Sequence, residues 1–253
     1  MDRRNFLKTG GIALLGSLAT GSAMALTTPG ALGGEGADKK AAVALAMNHF
    51  GVSEADLKKV LAAALEKGGD YADLFFEHTI SNSIRLMDGA VNNSYSNIDY
   101  GVGVRVLTGD QSGYAYVENI TVEDMLKAAR TAARIASANK GNKPLNLTEK
   151  ELKKNYYTVA SPWEEVSLKD KMPYLQKLND RIFALDKRVH KVQASQSDTT
   201  SHIFFCNSEG VMFYDYRPMV TLGAVCIMEE DGKTENGYAA RAYRRGFDFL
   251  SDE

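Results

Sequence analysis

The apolar residues between positions 53 and 69 recur with the spacing of one helix face. Ser53 is followed three residues later by Asp56, an arrangement like a capping box, and Gly68-Gly69 comes after the last apolar position. Positions i, i+3, i+4, i+7 and i+8 are apolar, and they are Leu57, Val60, Leu61, Ala64 and Leu65. The pattern predicts a helix that begins at Ser53 and buries a single apolar stripe.

Alternation with a period of two follows and predicts strands. One face of the first strand carries Leu74, Phe76, His78 and Ile80, and the other carries Phe75, Glu77 and Thr79. Further strands are predicted at residues 83–87, before an Asp88-Gly89 turn, and at residues 100–107 and 114–118. Gly101 and Gly103 leave one face of the strand 100–107 open, so we expect another backbone or a helix to approach it closely.

Helices and strands then occur in separate groups. Thr121 is predicted to cap an alanine-rich helix, and Asp170 a later one with Pro173 in its first turn. Residues 137–166 are predicted to form a long irregular excursion that links the two halves of the chain. The predicted strands that follow are 189–194, 202–206, 211–216, 220–228 and 238–243. Without strict β-α-β alternation, the best prediction is an α+β fold with a largely antiparallel sheet and packed helices.

The N-terminal segment has the pattern of an export signal. Arg3-Arg4 precedes an apolar run, and Ala23 and Ala25 flank Met24 as in a signal-peptidase site. Residues 1–25 are therefore predicted to be a twin-arginine signal peptide and the mature chain to be periplasmic. The apolar run is too short to span a bilayer, and no lipid-anchoring Cys follows, so no stable membrane anchor is expected. Residues 26–52 are predicted to be a flexible linker with one helical stretch at 39–47.

Composition and charge exclude several classes of protein. The 253 residues include 30 Lys plus Arg and 32 Asp plus Glu, and 44% are hydrophobic, which is typical of a soluble globular chain. The net charge of −2, or −4 without residues 1–25, gives no reason to expect a nucleic-acid partner. Two cysteines are too few for a disulfide scaffold.

Residues that could carry metal or thiol chemistry are few. The four histidines, His49, His78, His190 and His202, form no His-Glu-x-x-His arrangement, and we interpret them as surface, rim or core histidines. Cys206 and Cys226 are predicted on the first and third strands of a meander, too far apart for a disulfide, and so are expected to be free and buried.

Other short patterns also favour ordinary structural roles. Gly101-x-Gly103 continues as a strand, so a dinucleotide loop is not predicted. Glu229-Glu230-Asp231 is interpreted as a solvated hairpin tip, although it could bind calcium. A cluster of Arg241, Arg244 and Arg245 could bind an anion or be ordinary exposed charge. No Gly-x-Ser-x-Gly motif is present, and no catalytic, cofactor-binding or metal-ligating residue is predicted.

Seven segments, taken in order, are more specific together than any one alone. They are Gly69-Asp70-Tyr71-Ala72-Asp73-Leu74, Asp88-Gly89-Ala90-Val91, Gly101-Val102-Gly103-Val104-Arg105-Val106, Ser112-Gly113-Tyr114-Ala115, Ala128-Ala129-Arg130-Thr131-Ala132-Ala133, Asn207-Ser208-Glu209-Gly210 and Arg244-Arg245-Gly246-Phe247-Asp248. From about residue 53 to residue 253 the chain resembles the N-terminal half of the TldD/PmbA family, also called modulators of DNA gyrase.

The resemblance implies a fold and an activity. It implies an N-terminal domain at 53–253, with sub-parts 53–136 and 167–253, whose sheet walls a peptide channel. Family members form homo- or heterodimers and act as zinc-dependent peptidases on unfolded or small peptides. The family's zinc is held by a His-Glu-x-x-x-His helix and a distant Cys in the C-terminal domain, and neither Cys206 nor Cys226 matches that position. Zinc is therefore expected outside this chain, and the usual family location, the cytoplasm, is the alternative to export.

Three hypotheses for function remain. The first is the channel-forming domain of an exported metallopeptidase, truncated before its metal-binding domain. The second is a non-catalytic binding subunit that dimerises with a full-length family member, with the strand 100–107 accepting a partner strand or a peptide at its edge. The third is catalysis by this chain alone.

Overall fold

The computed structural model describes residues 39–136, 147–149, 157 and 159–252. The regular elements in chain order are helix α1 (Lys39–Phe50), α2 (Glu54–Leu65), strands β1 (Tyr71–Met87), β2 (Ala90–Thr108) and β3 (Gln111–Val117), α3 (Val122–Ala136), β4 (Thr148–Glu149), α4 (Leu168–Leu185), β5 (Val189–Asn207), β6 (Val211–Glu230) and β7 (Lys233–Tyr243). Short 3₁₀ helices lie at Trp163–Glu165 and Phe247–Asp252. The predicted signal, residues 1–25, lies outside the described residues, and export stays a prediction.

One sheet joins the two halves of the chain. Its strand order is β3-β2-β1-β5-β6-β4, with β7 also paired to β6. All pairs are antiparallel except the two-residue pairing of β4 with β6. The central pair, β1 with β5, aligns fifteen residues from Asp73↔Asn207 to Met87↔Gln193. The predicted α+β fold with a largely antiparallel sheet is confirmed.

Helices α1, α2 and α3 cover one face of this sheet at one end. The capping box predicted at Ser53 is present, since the Ser53 side chain accepts from the Asp56 backbone and the Asp56 side chain accepts from the Ser53 backbone. Thr121 caps α3 as predicted, its hydroxyl accepting from the Asp124 backbone at 3.1 Å. The alanine stripe of α3 lies directly on β3, where a Cβ atom at Gly113 would overlap the Ala132 carbonyl oxygen. Small residues thus allow close helix-on-sheet packing.

The packed region begins earlier than the sequence indicated. The linker was expected to reach residue 52, but α1 extends through residues 39–50 and places Val43, Ala46 and Phe50 in the main core. These residues are apolar on one side of a single helix, so they bury their side chains on β1 and β5 instead of remaining solvated. The linker prediction is therefore wrong for residues 39–52, while the helix expected at 39–47 is present and three residues longer.

Several predicted strands are segments of longer strands. Residues 189–194 and 202–206 belong to the single strand β5, residues 211–216 and 220–228 to β6, and residues 83–87 to β1. The polar residues 195–201, for which the sequence predicts no strand, also belong to β5 and pair with β1. Their side-chain hydroxyls contact those of β1. Ser197 donates to Ser83 at 3.2 Å, and the Thr79 and Ser201 hydroxyl oxygens lie 2.8 Å apart. Cross-strand polar pairs stabilise a sheet face that helices leave uncovered.

Helix α4 packs on the far half of the sheet with its own small core. Leu175 contacts the cluster of Ile84, Leu86 and Ala194. The helix begins one turn before the predicted cap, with Ser167 as N-cap instead of Asp170, and Pro173 lies inside it, not in its first turn. The missing Pro173 amide removes one helical hydrogen bond. In the described parts of the chain, no helix is long and apolar enough to cross a membrane.

Candidate functional site

The sheet face opposite the helices has a hollow beside two glycines of β2. Gly101 pairs with Glu77 and Gly103 with Phe75 of β1, and Gly103 pairs on its other side with Tyr116 of β3. The expected close approach of a backbone is confirmed at Gly101, where a Cβ atom would lie 2.5 Å from the Val117 carbonyl oxygen. At Gly103 the neighbour is a side chain instead, since a Cβ atom there would come within 2.5 Å of the Tyr114 hydroxyl.

The hollow is a groove of about 420 Å³, which lies in the size range of ligand and peptide subsites. Its side walls come from three adjacent strands and from the residue that follows β3. We call it the acidic groove and define it by Phe75, Glu77, Asp99, Tyr114, Tyr116 and Glu118. Three of these six side chains are carboxylates, and three are aromatic. The groove therefore combines negative charge with exposed ring surface.

The groove has no cationic side chain in its described lining, since none of these residues is Lys, Arg or His. The nearby Arg105 is bound to Asp73 outside it. Glu77 accepts a hydrogen bond from the Thr79 hydroxyl at 2.6 Å, and Asp99 accepts one from the Asn97 amide at 3.0 Å. These neutral donors fix the two carboxylates without neutralising them. The arrangement favours a ligand that carries a positive charge.

An open strand edge adjoins the groove. β3 pairs with β2 only from Val102 to Thr108, and no other described strand pairs with the outer side of residues 90–100. We call residues 90–100 the open edge. Every residue of this segment is exposed, including Tyr95 at 59% and Ile98 at 60%. In an antiparallel strand alternate residues direct both N–H and C=O to the same side, so about half of these residues present free hydrogen-bonding groups.

This geometry corrects the expectation for the strand 100–107. From Val102 onward that segment is paired with β1 on one side and with β3 on the other, so it cannot accept a further strand. The free edge is the preceding half of the same strand. The sequence does not reveal this difference, because it depends on how much shorter β3 is than β2.

Three of the four histidines come together on the helix-covered face. His49 of α1 stacks on His202 of β5 and on His78 of β1, with ring centroids 4.9 and 5.0 Å apart. The His49 Nε2 atom lies 2.8 Å from His78 Nδ1. His202 Nε2 lies 3.0 Å from Glu164 Oε2, and its Nδ1 lies 2.7 Å from the Tyr214 hydroxyl. We call His49, His78 and His202 the histidine cluster.

The surroundings of two rings of the histidine cluster, His49 and His78, favour their neutral forms. Burial and the neighbouring histidines lower the pKa of His49 from 6.5 to about 4. Burial, followed by the charge of His202, also lowers the pKa of His78. Burial together with the charge of Glu164 raises the pKa of Tyr214, which keeps its hydroxyl protonated. A proton on any one ring disfavours protonation of the other two.

The cluster does not have the donor set of a zinc site. Its rings stack on one another, and their nitrogens are used by histidine, tyrosine and glutamate partners. Within the described residues, no group of three or more His, Cys, Asp or Glu side chains could hold a metal ion. The residues that the structure describes therefore do not fit the zinc that the family implies, and no catalytic step is assigned to them. Zinc bound outside this chain stays a prediction.

Both cysteines are free, as expected, but only Cys206 is buried, and the expected burial of Cys226 is wrong because this residue is only partly covered. The reason that they are free differs from the predicted one, because Cys206 and Cys226 lie on the adjacent strands β5 and β6 and not on strands two apart. Cys206 is opposite Met212, whereas Cys226 is opposite Val192, so the two are far apart along the strands. Burial raises the pKa of the Cys206 thiol, and an unreactive core thiol results.

The remaining candidate residues lie away from the acidic groove. His190 is exposed near Glu229, with 3.9 Å between His190 Nδ1 and Glu229 Oε2. Glu230 pairs with Arg188 at 3.1 Å beside the Asp231-Gly232 turn, so the hairpin-tip interpretation is confirmed. Two of the C-terminal arginines make separate contacts: Arg241 is exposed and donates to the Ala240 carbonyl, and Arg244 lies over the Tyr157 ring.

Family models match both halves of this sheet. The model for the PmbA/TldA metallopeptidase domain 1 matches residues 72–136, and the model for the central domain of the same family matches residues 161–253. The chain belongs to the TldD/PmbA family. The resemblance seen in the sequence is thereby confirmed. The groove and the open edge lie within domain 1, and β1 pairs with β5 across the two domains of the family.

Relatives of known name agree with this assignment. A TldD homolog of Haemophilus influenzae, named a metalloprotease, is 31% identical over 185 residues, which cover 72% of this chain and 38% of the relative. A metalloprotease of Methanocaldococcus jannaschii is 24% identical over 193 residues, covering 73% of this chain and 41% of that one. The chain spans between 37% and 43% of the length of the three TldD homologs that it matches.

Solved structures share the fold. A protein of Thermotoga maritima, named a modulator of a DNA gyrase, superimposes with a TM-score of 0.60 at 20% identity, covering 76% of this chain and 43% of that one. TldE of Thermococcus kodakarensis superimposes with a TM-score of 0.54 at 14% identity, covering 75% and 43%. At these identities the comparison supports the fold.

Proposed function

We propose that this chain supplies the peptide-binding part of a TldD/PmbA-type metallopeptidase, with peptide cleavage carried out by a zinc-binding domain outside the residues described. The observation that supports the proposal is the open edge, eleven exposed residues of β2 without an outer partner, beside a groove of peptide-subsite size. An extended peptide that pairs with this edge would extend the sheet by one strand.

Edge addition suits a peptidase that acts on unfolded chains. Main-chain hydrogen bonds recognise any extended sequence, and the side chains of the edge select only weakly. The open edge carries Asn93, Tyr95 and Asn97 toward the uncovered face, a polar and aromatic surface without a strong sequence preference. A folded substrate has few free strands to offer, so unfolded or small peptides are the class that fits.

Edge pairing has a consequence that side-chain docking lacks. In an antiparallel pair every second residue of the peptide directs its N–H toward β2. A ten-residue peptide N-methylated at every second position keeps one complete hydrogen-bonding side, whereas the same peptide N-methylated at every position keeps none. We expect the first to bind the full chain about as well as the unmethylated peptide and the second to bind at least about tenfold more weakly. Equal affinity of the fully methylated and the unmethylated peptide would contradict edge pairing.

A second candidate function is that of a non-catalytic subunit that dimerises with a full-length family member. The specific observation is β7, whose outer edge no described strand pairs and whose Tyr238 is 73% exposed. Paired edges of two chains would form a continuous sheet. Light scattering of the full chain mixed with a full-length family member, with and without Tyr238→Lys, tests this candidate, because a charge on the edge opposes strand pairing. The chain alone tests the homodimer. A monomer at micromolar concentration would count against a homodimer through this edge.

A further inference from the structure

The junction of the open edge with the acidic groove gives the bound peptide a direction. β3 runs antiparallel to β2 and ends at Val117, opposite Val102. A peptide on the open edge would continue in line with β3, about 4.8 Å from β2. The end of the peptide nearest β3 would therefore lie over Tyr100 and Gly101, at the mouth of the acidic groove.

The charge of the groove decides which peptide end lies there. Glu77, Asp99 and Glu118 line it, and no described lining residue is basic. A free α-amino group is positively charged at neutral pH, and a terminal carboxylate is negatively charged. Amines are therefore attracted to the groove and carboxylates are repelled, which orients the peptide antiparallel to β2.

The shape of the groove agrees with a chain terminus. The Val117–Glu118 backbone lies close to Gly101, and the Tyr114 ring lies over Gly103, so the groove is closed on the β3 side. After Val117 the chain leaves the sheet toward α3, so Glu118 stands where a longer peptide would have to continue. The first residue of a peptide can place its side chain against the rings, while its amine meets the carboxylates.

We propose that the open edge and the acidic groove together bind the N-terminal segment of an extended peptide, with its free α-amino group at Glu77, Asp99 and Glu118 and its chain antiparallel to residues 90–100. This proposal rests on the proposed function, which needs only that a peptide binds at the edge. It adds the end of the peptide that is recognised and the direction in which it runs.

The experiment compares two forms of one peptide with the full chain. A ten-residue peptide of Ser, Thr, Ala and Gly, labelled with fluorescein at its C-terminal end, carries either a free or an acetylated N-terminus. Fluorescence anisotropy gives both affinities. We expect the free amine to bind at least about tenfold more tightly, because charge-assisted hydrogen bonds exceed neutral ones. That preference should fall above about pH 8, where the amine loses its proton.

Substitutions test whether the acidic groove causes the preference for the peptide with a free N-terminus. The triple variant Glu77→Gln, Asp99→Asn and Glu118→Gln should bind both peptides equally, whereas Glu235→Gln, which removes an exposed charge from β7, should keep the preference. Glu118→Gln alone, at a loop position, should reduce the preference if the triple variant fails to fold. Equal binding of both peptides to the unmodified chain would overturn this proposal and leave the proposed function intact. Binding of neither peptide would overturn both.

Discussion

His49 Nε2 on α1 lies 2.8 Å from His78 Nδ1 on β1, and this contact joins the first described helix to the central strand pair. His202 stacks on both rings, so the cluster contains three ionisable groups within 6 Å of one another. Glu164, Tyr100, Tyr214 and Tyr216 are the other titratable side chains in contact with these rings. The stacking of His49 on His78 and His202 joins α1 to β1 and β5.

The histidine cluster should make stability depend on pH. The pKa of His49 falls from 6.5 to about 4 on folding, and that of His78 also falls. The unfolded chain therefore binds more protons between these values, and the free energy of unfolding should decrease as the pH is lowered from about 6.5 toward 4. Urea unfolding at pH 7.5, 6 and 5 measures the effect.

Two substitutions distinguish the contribution of the histidine cluster to this pH dependence from the general loss of stability at low pH. His49→Gln removes a titrating ring and should flatten the decrease between pH 6.5 and 4. His190→Gln removes an exposed ring on β5 and should leave it unchanged. If His49→Gln shows the same slope as the unmodified chain, the cluster does not cause the pH dependence.

A buried ion pair fixes α4 on the far half of the sheet. Lys171 Nζ lies 2.8 Å from Asp198 Oδ2, and both side chains are at least 96% buried. Asp198→Ala leaves a buried lysine charge unpaired and should cost about 3–5 kcal/mol of unfolding free energy. Chemical denaturation measures it. Arg217→Gln breaks the partly exposed pair with Asp215 and should cost about 1 kcal/mol or less.

The double variant Lys171→Met with Asp198→Leu tests the same ion pair by removing both of its charges. Removing both charges avoids the unpaired ion, so the double variant should be more stable than Asp198→Ala. An Asp198→Ala variant no less stable than Arg217→Gln would show that the pair does not hold α4 in place.

The contact between Gly113 and α3 should not tolerate a side chain. A Cβ atom there would overlap the Ala132 carbonyl and approach the Ala136 amide to 2.8 Å. Gly113→Ala forces α3 away from β3 and should cost about 1–3 kcal/mol, as overpacking does. Gly237→Ala places a methyl group on a strand where nothing lies within 4 Å and is the matched control. Thermal unfolding of both variants measures the difference, and equal melting temperatures would contradict the packing described.

The two thiols should react at different rates. Cys206 is fully buried and its pKa is raised by burial, whereas Cys226 is half-buried on β6. A thiol-specific chromogenic reagent should label Cys226 first and Cys206 only on unfolding. Cys226→Ser should then remove the reactivity of the folded chain. Rapid labelling of that variant without denaturant would contradict the burial of Cys206.

Local signals in the sequence predicted individual elements well, because caps and periodicity act within a few residues. The capping box at Ser53, the cap at Thr121 and the face shared by Leu74, Phe76 and His78 are all present. Strand length was predicted less well, because polar residues of β5 such as Ser197 pair through side chains that belong to β1. Such partners lie more than a hundred residues away in the chain.

The candidate site could not be predicted from local sequence signals either, because it is formed by residues that are far apart in the chain. His49, His78 and His202 are each unremarkable in their own elements, and only the α1 docking and the His78↔His202 register bring them together. Similarly, the open edge exists because β3 pairs with only seven residues of β2, from Val102 to Thr108, and leaves residues 90–101 without an outer partner. The glycines at 101 and 103 signalled open space, but not that carboxylates line it.

Amide hydrogen exchange of the full chain, with and without a saturating unlabelled peptide, tests the central claim most directly. The alternate residues of the open edge whose amides face away from β1 should exchange fast in the free chain and become protected when the peptide adds a strand. The other amides of residues 90–100 bond to β1 and should be protected throughout, and the β7 edge, residues 233–243, should not change. Protection of the outward-facing amides before peptide is added would show that the edge is already covered. Unchanged exchange there at saturation would show that the peptide binds elsewhere, and either result would contradict edge binding.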